Sequence, residues 1–211
     1  LTGATSGSIA LAAGAPSTLV IATQPSGTVV NGNTLAQQPV LQLTDVGGNA
    51  SPTAGVNITA ALTGAPAGVS LGGTATVATN ASGVASFTNL ALTGAVGSYT
   101  LSFSGASLST VTSSSVALTA GPAMTIAISA GNNQSATVGT AVAVDPAVLV
   151  TDAGGNPVGG VAVTFTVTGG GGSVIGGSAT TNGSGIATVT SWTLGTAAGA
   201  GNNTLQASAS G

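Results

Sequence analysis

Asp45, Asp145, Asp152 and Tyr99 are the only ionisable side chains of this chain. A carboxylate can hold a hard cation or move a proton. Asp45 opens the Gly-rich stretch Thr44-Asp45-Val46-Gly47-Gly48-Asn49, and Asp152 opens Thr151-Asp152-Ala153-Gly154-Gly155-Asn156. That placement makes them the weak candidates for a calcium ligand. Each stretch offers one carboxylate where calcium loops offer several. The favoured reading is a turn in which the side chain accepts backbone N–H groups. Asp145 precedes Pro146 and reads as a bend before a strand. General acid–base work needs a group tuned near the working pH, and the chain has no His, Cys or Lys to serve as base or nucleophile. Asp145 and Asp152 are the one carboxylate pair close in sequence. No catalytic, cofactor-binding or metal site is expected, and no enzyme.

Other residues offer covalent or contact chemistry. Asn49, Asn57, Asn80, Asn133, Asn182 and Asn202 each stand two residues before Ser or Thr. In an extracellular setting such triplets accept N-linked glycans. Pro52 follows the Asn49 triplet and makes it a poor acceptor. That leaves Asn57, Asn80, Asn133, Asn182 and Asn202 as sites for possible covalent glycans. Trp192 reads as a packing residue rather than a sugar platform. The glycines at 169–172 read as a hairpin connection, because a phosphate loop needs a lysine and a following helix.

Composition removes whole classes of partner. Lys and Arg are absent, and charged residues make 1% of the chain, against about 25% in an ordinary soluble domain. Phosphate backbones and anionic membrane surfaces are bound with cations, so neither nucleic acid nor a lipid headgroup layer is an expected partner. No apolar run approaches the roughly 18–20 residues of a spanning helix, so membrane insertion is not expected either. Disulfides are impossible without cysteine. With so few carboxylates, stability is expected to vary little with pH.

The elements that carry these residues come in two copies. Gly55-Val56-Asn57-Ile58 is answered by Gly160-Val161-Ala162-Val163, and Thr79-Asn80-Ala81-Ser82-Gly83 by Thr181-Asn182-Gly183-Ser184-Gly185. Thr100-Leu101 is answered by Thr204-Leu205. A repeat of this length signals whole domains in series. Within each copy apolar residues alternate with small polar ones: Val161, Val163, Phe165 and Val167 are separated by Ala162, Thr164 and Thr166. Tyr99, Leu101 and Phe103 repeat the pattern. A two-residue period predicts strands with one buried face. Strands are expected near 17–23, 39–45, 56–63, 69–71, 74–79, 83–88, 98–104 and 114–120. In the second copy they are expected near 123–129, 147–152, 161–168, 173–175, 177–181, 185–190 and 203–208. Turn clusters every 8–12 residues make this an all-β chain of antiparallel sandwiches.

The motifs together resemble the bacterial immunoglobulin-like domain of the invasin and intimin type. They are Asp45 or Asp152 with its Gly-Gly-Asn turn, Gly-Val-x-Val/Ile, Thr-Asn-x-Ser-Gly-x-Ala and Thr-Leu. The resemblance implies two tandem Ig-like antiparallel β-sandwiches, exposed on a cell surface and used as a stalk or scaffold. Tyr99 then resembles a tyrosine corner, whose hydroxyl bonds back to an upstream backbone group; the second copy has Asn203 there. The expected domains are 14–120 and 121–211. Val116-Ala117-Leu118-Thr119-Ala120-Gly121 closes the first unit, and Ile9-Ala10-Leu11-Ala12-Ala13-Gly14 matches it at the other end of the chain. Residues 1–13 therefore read as the last strand of a neighbouring unit, while the second unit lacks its own. Ser8, Ile9, Ala10, Leu11, Ala12 and Ala13 form that assembly strand. Two explanations fit: one period of a longer array, or a strand lent between chains. The leading expectation is a structural subunit of an extracellular, pilus-like filament or sheath, its partners being copies of itself. The alternative is a spacer section of a long cell-surface adhesin.

Overall fold

The computed structural model describes residues 3–209. The chain divides into two compact units, Leu1–Leu118 and Thr119–Gly211. Among the described residues every regular element is a strand.

The first unit contains β1 (Thr18–Thr23), β2 (Thr28–Val30), β3 (Val40–Thr44), β4 (Asn57–Thr63), β5 (Ser70–Gly72), β6 (Thr76–Ala78), β7 (Val84–Ser86), β8 (Ala91–Thr93), β9 (Gly97–Gly105), β10 (Val111–Thr112) and β11 (Val116–Thr119). One sheet has the order β1-β3-β7. The other runs β2-β11-β9-β4-β6, with β10 also pairing β9, and β5 pairs β8 in a ribbon. The second unit contains β12 (Thr125–Ala130), β13 (Ala147–Thr151), β14 (Ala162–Gly169), β15 (Gly172–Ile175), β16 (Ser178–Thr180), β17 (Ile186–Thr188), β18 (Ser191–Leu194) and β19 (Thr204–Ala209). Its sheets are β12-β13-β17, β16-β14-β19 and the ribbon β15-β18. Each of the first unit's longer ladders is antiparallel, and those of the second repeat them.

The alternation in sequence becomes the burial pattern. Along β4, Ile58 and Ala60 are buried and Leu62 half-buried, while Asn57, Thr59, Ala61 and Thr63 are exposed. Along β14, Val163 and Phe165 are buried and the threonines between them face out. A pleated strand presents successive side chains to opposite faces, so one register places every apolar residue inward. The first core gathers Leu41, Leu43, Ile58, Leu101, Phe103 and Val116, among others. The second is smaller: Val148, Val150, Val163, Phe165, Ala187 and Val189.

Every strand expected within the two units, 14–120 and 121–211, overlaps an observed one. Four observed strands had no counterpart in the expectation: β2, β8, β10 and β18. They are two to four residues long, too short to display a period.

One cross-strand pair shows how the two cores hold similar bulk with different residues. Ala60 on β4 faces Phe103 on β9. At the same place in the second unit Phe165 on β14 faces Ala207 on β19. The large and small members have exchanged strands. Truncating the buried Phe103 to Ala should cost about 3–5 kcal/mol, as other buried phenylalanines do. Ala60→Phe alone should overpack the site, at about 1–3 kcal/mol. The double variant Ala60→Phe/Phe103→Ala imports the second unit's arrangement and should be more stable than Phe103→Ala alone. Urea unfolding of the three variants tests this; additive losses would show that the two positions do not share one space.

Candidate functional site

The carboxylates come first, because they are the only formal charges. β3 ends at Thr44, and the next residue turns the chain. Asp45 N–H donates to the Asn49 carbonyl at 2.9 Å, and Gly48 N–H to the Asp45 carbonyl at 3.0 Å. Gly48 sits at φ 82°, a left-handed conformation that glycine adopts without a Cβ penalty. Inside this loop the Asp45 Oδ1 accepts the N–H groups of Gly47 and Asn49, both at 2.9 Å. The Asn49 amide lies 3.2 Å from each oxygen. Oδ2 accepts the N–H of Gly14 at 2.9 Å. Asp152 repeats the arrangement. Its Oδ1 accepts from Gly154 and Asn156 at 2.8 and 2.9 Å, and its Oδ2 from Gly121 at 2.8 Å. Both aspartates are buried.

Each carboxylate thus ties the residue that opens its unit, Gly14 or Gly121, to the end of β3 or β13. The oxygens are engaged by N–H donors. Among the described residues no group of three or more His, Cys, Asp or Glu comes together. The Gly14 N–H, then Asn49, hold the Asp45 carboxyl down to about 2, because hydrogen bonds to the charged form favour it.

The repeated Thr-Asn-x-Ser-Gly motif is likewise spent on backbone. Thr79 Oγ1 accepts Val56 N–H at 3.0 Å and donates to the Thr53 carbonyl at 2.7 Å. Thr181 does the same with Val161 and Val158, at 2.9 and 2.8 Å. Asn80 Oδ1 accepts from Ser82 and Val84, and Asn182 Oδ1 from Ser184 and Ile186. Gly83 and Gly185 both sit at φ 74°, with the Ser51 and Val150 carbonyls respectively close by, so a side chain at either position would collide with them. Sequence reasoning gave the two threonines no role; their recurrence in both copies was the available signal.

The remaining singled-out residues are dispersed. Tyr99 Oη donates to the Ala95 carbonyl at 2.8 Å, the upstream bond that the resemblance implies. Asp145 is exposed and precedes β13. Asn57, Asn80, Asn133, Asn182 and Asn202 are all exposed. The Asn202 amide donates to the Ala198 carbonyl at 2.7 Å, and Asn133 adopts φ 54°. Residues 3–13 take part in no ladder of their own chain. Ile9 and Leu11 there are 91% and 95% exposed.

A concavity lies within the second unit. It is a cleft of about 790 Å³ lined by Val142, Val148, Phe165, Trp192, Leu205 and Ala207, among others. Trp192 is itself buried, and its indole N–H has no acceptor among the described residues. The three aspartates are absent from the lining.

Acid should act on the first unit through Asp45. Its folded value lies below the ordinary value near 3.8, so its stabilising contribution is complete above that value. It declines as pH falls towards about 2. The expectation of pH-insensitive stability counted charges without their positions. Thermal unfolding followed at pH 6 and pH 2 should show the first unit's transition falling in acid. Asp45→Asn should start lower and fall less; an equal fall would assign the acid sensitivity to other groups.

The family model described as SMCHD1 Ig-like domain 6 matches residues 14–124. No curated protein matches the chain. Among solved structures the chain is similar to FdeC, an Escherichia coli adhesin, at 23% identity and a TM-score of 0.45. That alignment covers 90% of this chain and 59% of the other. It is similar to the D0-D1 domain of intimin at 19% identity and a TM-score of 0.32, covering 89% and 90%. It is similar to invasin, a bacterial integrin-binding protein, at 18% identity and a TM-score of 0.39, covering 91% and 36%. The chain therefore spans 59% of the FdeC structure and 36% of the invasin structure. The family match begins at Gly14, the residue that the Asp45 carboxylate fastens into the sandwich, and the chain belongs to that Ig-like domain family.

Proposed function

We propose that the chain is a stalk section of a bacterial cell-surface adhesin: Ig-like units in series that hold a binding tip, outside this sequence, away from the cell. One observation carries the reading. The polar residues that recur in both units, Asp45 and Asp152, Thr79 and Thr181, Asn80 and Asn182, all bind their own backbone. What is repeated is the means of holding a sandwich, which suits a spacer. The invasin-like motifs support the same role and an extracellular place. A surface without Lys or Arg gives trypsin-like proteases no cleavage site, a benefit outside the cell. Catalysis has no part in this reading, since His, Cys and Lys are absent. Glycans on the exposed Asn57, Asn80, Asn133, Asn182 or Asn202 would shield the stalk without disturbing a core.

A second reading, a filament subunit joined to its neighbours by donated strands, is favoured by one feature, the apolar cleft of the second unit. The mass of the denatured natural protein, after glycan removal, separates the two. A stalk predicts a polypeptide several times larger than the 19.2 kDa of this sequence, labelled by antibody on intact cells. A species near 19.2 kDa recovered from fibres would overturn the stalk in favour of the filament.

A further inference from the structure

Two Asn-Gly pairs occur in the chain, Asn31-Gly32 and Asn182-Gly183. Such a pair can react with itself. The amide nitrogen of the glycine attacks the side-chain carbonyl carbon of the asparagine, and a glycine has no Cβ to hinder the approach. The fold treats the two pairs oppositely. The Gly32 N–H donates to the Leu92 carbonyl at 3.0 Å, and Asn31 Oδ1 accepts the Gly94 N–H at 3.0 Å. The attacking nitrogen is thus held by one main-chain group and the side chain by another.

Asn182 and Gly183 stand exposed on the turn between β16 and β17. Asn182 Oδ1 accepts the N–H of Ser184 at 2.9 Å and that of Ile186 at 3.1 Å. A side chain that reaches forward to the N–H two residues on passes over the peptide between them, so Cγ lies alongside the Gly183 nitrogen. Among the described residues neither the Gly183 N–H nor the Asn182 side-chain amide donates to a protein atom. Nothing stands within 4 Å of where a Cβ on Gly183 would be, so water reaches the peptide. The two donors on Oδ1 also serve the reaction. Negative charge builds on that oxygen as the ring closes, and N–H groups already aimed at it stabilise such charge.

The first unit supplies the comparison. Asn80 Oδ1 accepts from Ser82 and Val84 at the same 2.9 and 3.1 Å. The Asn80 N–H donates to the Val84 carbonyl at 2.9 Å, as the Asn182 N–H does to Ile186. The residue that follows Asn80 is Ala81, whose methyl group stands beside the attacking nitrogen. The two turns share their hydrogen bonds and differ at the reacting peptide by that methyl.

We propose that Asn182-Gly183 is a self-modification site, at which the folded second unit converts its own asparagine to a carboxylate with water as co-reactant. The Gly183 nitrogen gives its proton to water or hydroxide, and its electron pair forms a bond to Asn182 Cγ. The Cγ–Nδ2 bond breaks, and Nδ2 takes a proton from water and leaves as ammonia. Water then opens the succinimide ring. Attack at Cγ gives an aspartyl residue, and attack at the main-chain carbonyl gives an isoaspartyl one. Nothing is oxidised or reduced: water enters and ammonia departs. The aspartyl product keeps the turn, because its carboxylate accepts the same Ser184 and Ile186 N–H groups, and bonds to an ionised acceptor are stronger. The isoaspartyl product adds a methylene to the main chain between the Asn182 N–H and the Asn182 carbonyl, which receives the Gly185 N–H at 2.9 Å. Either product adds a negative charge to a chain whose net charge is -3. A glycan on Nδ2 would block the reaction, so the two modifications compete for one atom. The proposal goes beyond the stalk reading and does not depend on it.

The test uses the whole 211-residue chain without glycans. The folded chain is kept in mildly alkaline buffer, sampled over time, digested with pepsin and read by mass spectrometry for amide-to-acid conversion. Acid should accumulate at Asn182, with ammonia released in equal amount, while Asn31 and Asn80 stay amides. Gly183→Ala should slow conversion at Asn182 by about tenfold or more. Ala81→Gly should raise Asn80 towards the rate of Asn182. Each variant carries the residue that the other unit has in the same turn, so both keep the fold, and circular dichroism checks this. An Asn182 that stays an amide while a synthetic peptide of residues 178–188 converts overturns the proposal. Equal conversion at Asn31 or Asn80, or an unchanged rate in Gly183→Ala, overturns it as well, since the fold would then not select the site.

Discussion

A chain without Lys, Arg or His must bury a carboxylate with uncharged hydrogen-bond donors, and both units are built on that constraint. An ionised carboxylate taken from water loses several kcal/mol of solvation unless something replaces the water. Here the replacement is main-chain N–H groups, aimed at Asp45 by Gly14, Gly47 and Asn49 and at Asp152 by Gly121, Gly154 and Asn156. Hydrogen bonds to an ionised acceptor are about twice as strong as neutral ones. Two of the donors come from the turn itself. The third comes from the residue that opens the unit, so the bond closes a loop across the first two strands. β1 and β12 can then run beside β3 and β13 in fixed register. The turn, the entry of the chain and the first ladder are one interaction seen from three sides.

The same shortage of charge shapes everything else that is polar. Ordinary sandwiches guard their edges with lysine and pair surface charges. This one leaves Thr, Ser, Ala and Gly on those faces and uses hydroxyl and amide groups inward, as local substitutes for missing ladder bonds. Thr79 and Thr181 each satisfy one N–H and one carbonyl at a place where the strands diverge. A buried N–H or carbonyl without such a partner costs about 1–3 kcal/mol. The outer surface, by contrast, has little that repels a like surface. A free strand edge on such a protein is open to pairing, and the molecule meets that risk with structure rather than with charge.

Much of this was legible in the sequence because it depends on local period. Val161, Val163 and Phe165 announce β14 by themselves, and the Asp152 turn announces its own geometry through Gly154, Gly155 and Asn156. Ala91–Thr93 and Ser191–Leu194 do not, since three or four residues carry no period and are strands only because β5 and β15 lie beside them. The exchange of Ala60 and Phe103 for Phe165 and Ala207 was hidden for a related reason. Each position reads as apolar in sequence, and only the pairing reveals that size is shared across the ladder. The acid response of Asp45 was hidden too, because composition counts carboxylates and says nothing of which N–H groups surround them.

The second unit shows why the position of a strand in a sheet matters more than its length. An edge strand is held by one ladder, and its loss uncovers one flank. β11 is four residues long, yet it lies between two neighbours and over the core. Among the described residues of the second unit 135–137 and 201–203 form no ladder, and Ile126 and Ile128 stand exposed although β12 is paired with β13. In the first unit these four residues carry two ladders and close a face of the core. The cleft of the second unit is lined by Val148, Phe165, Trp192, Leu205 and Ala207, among others.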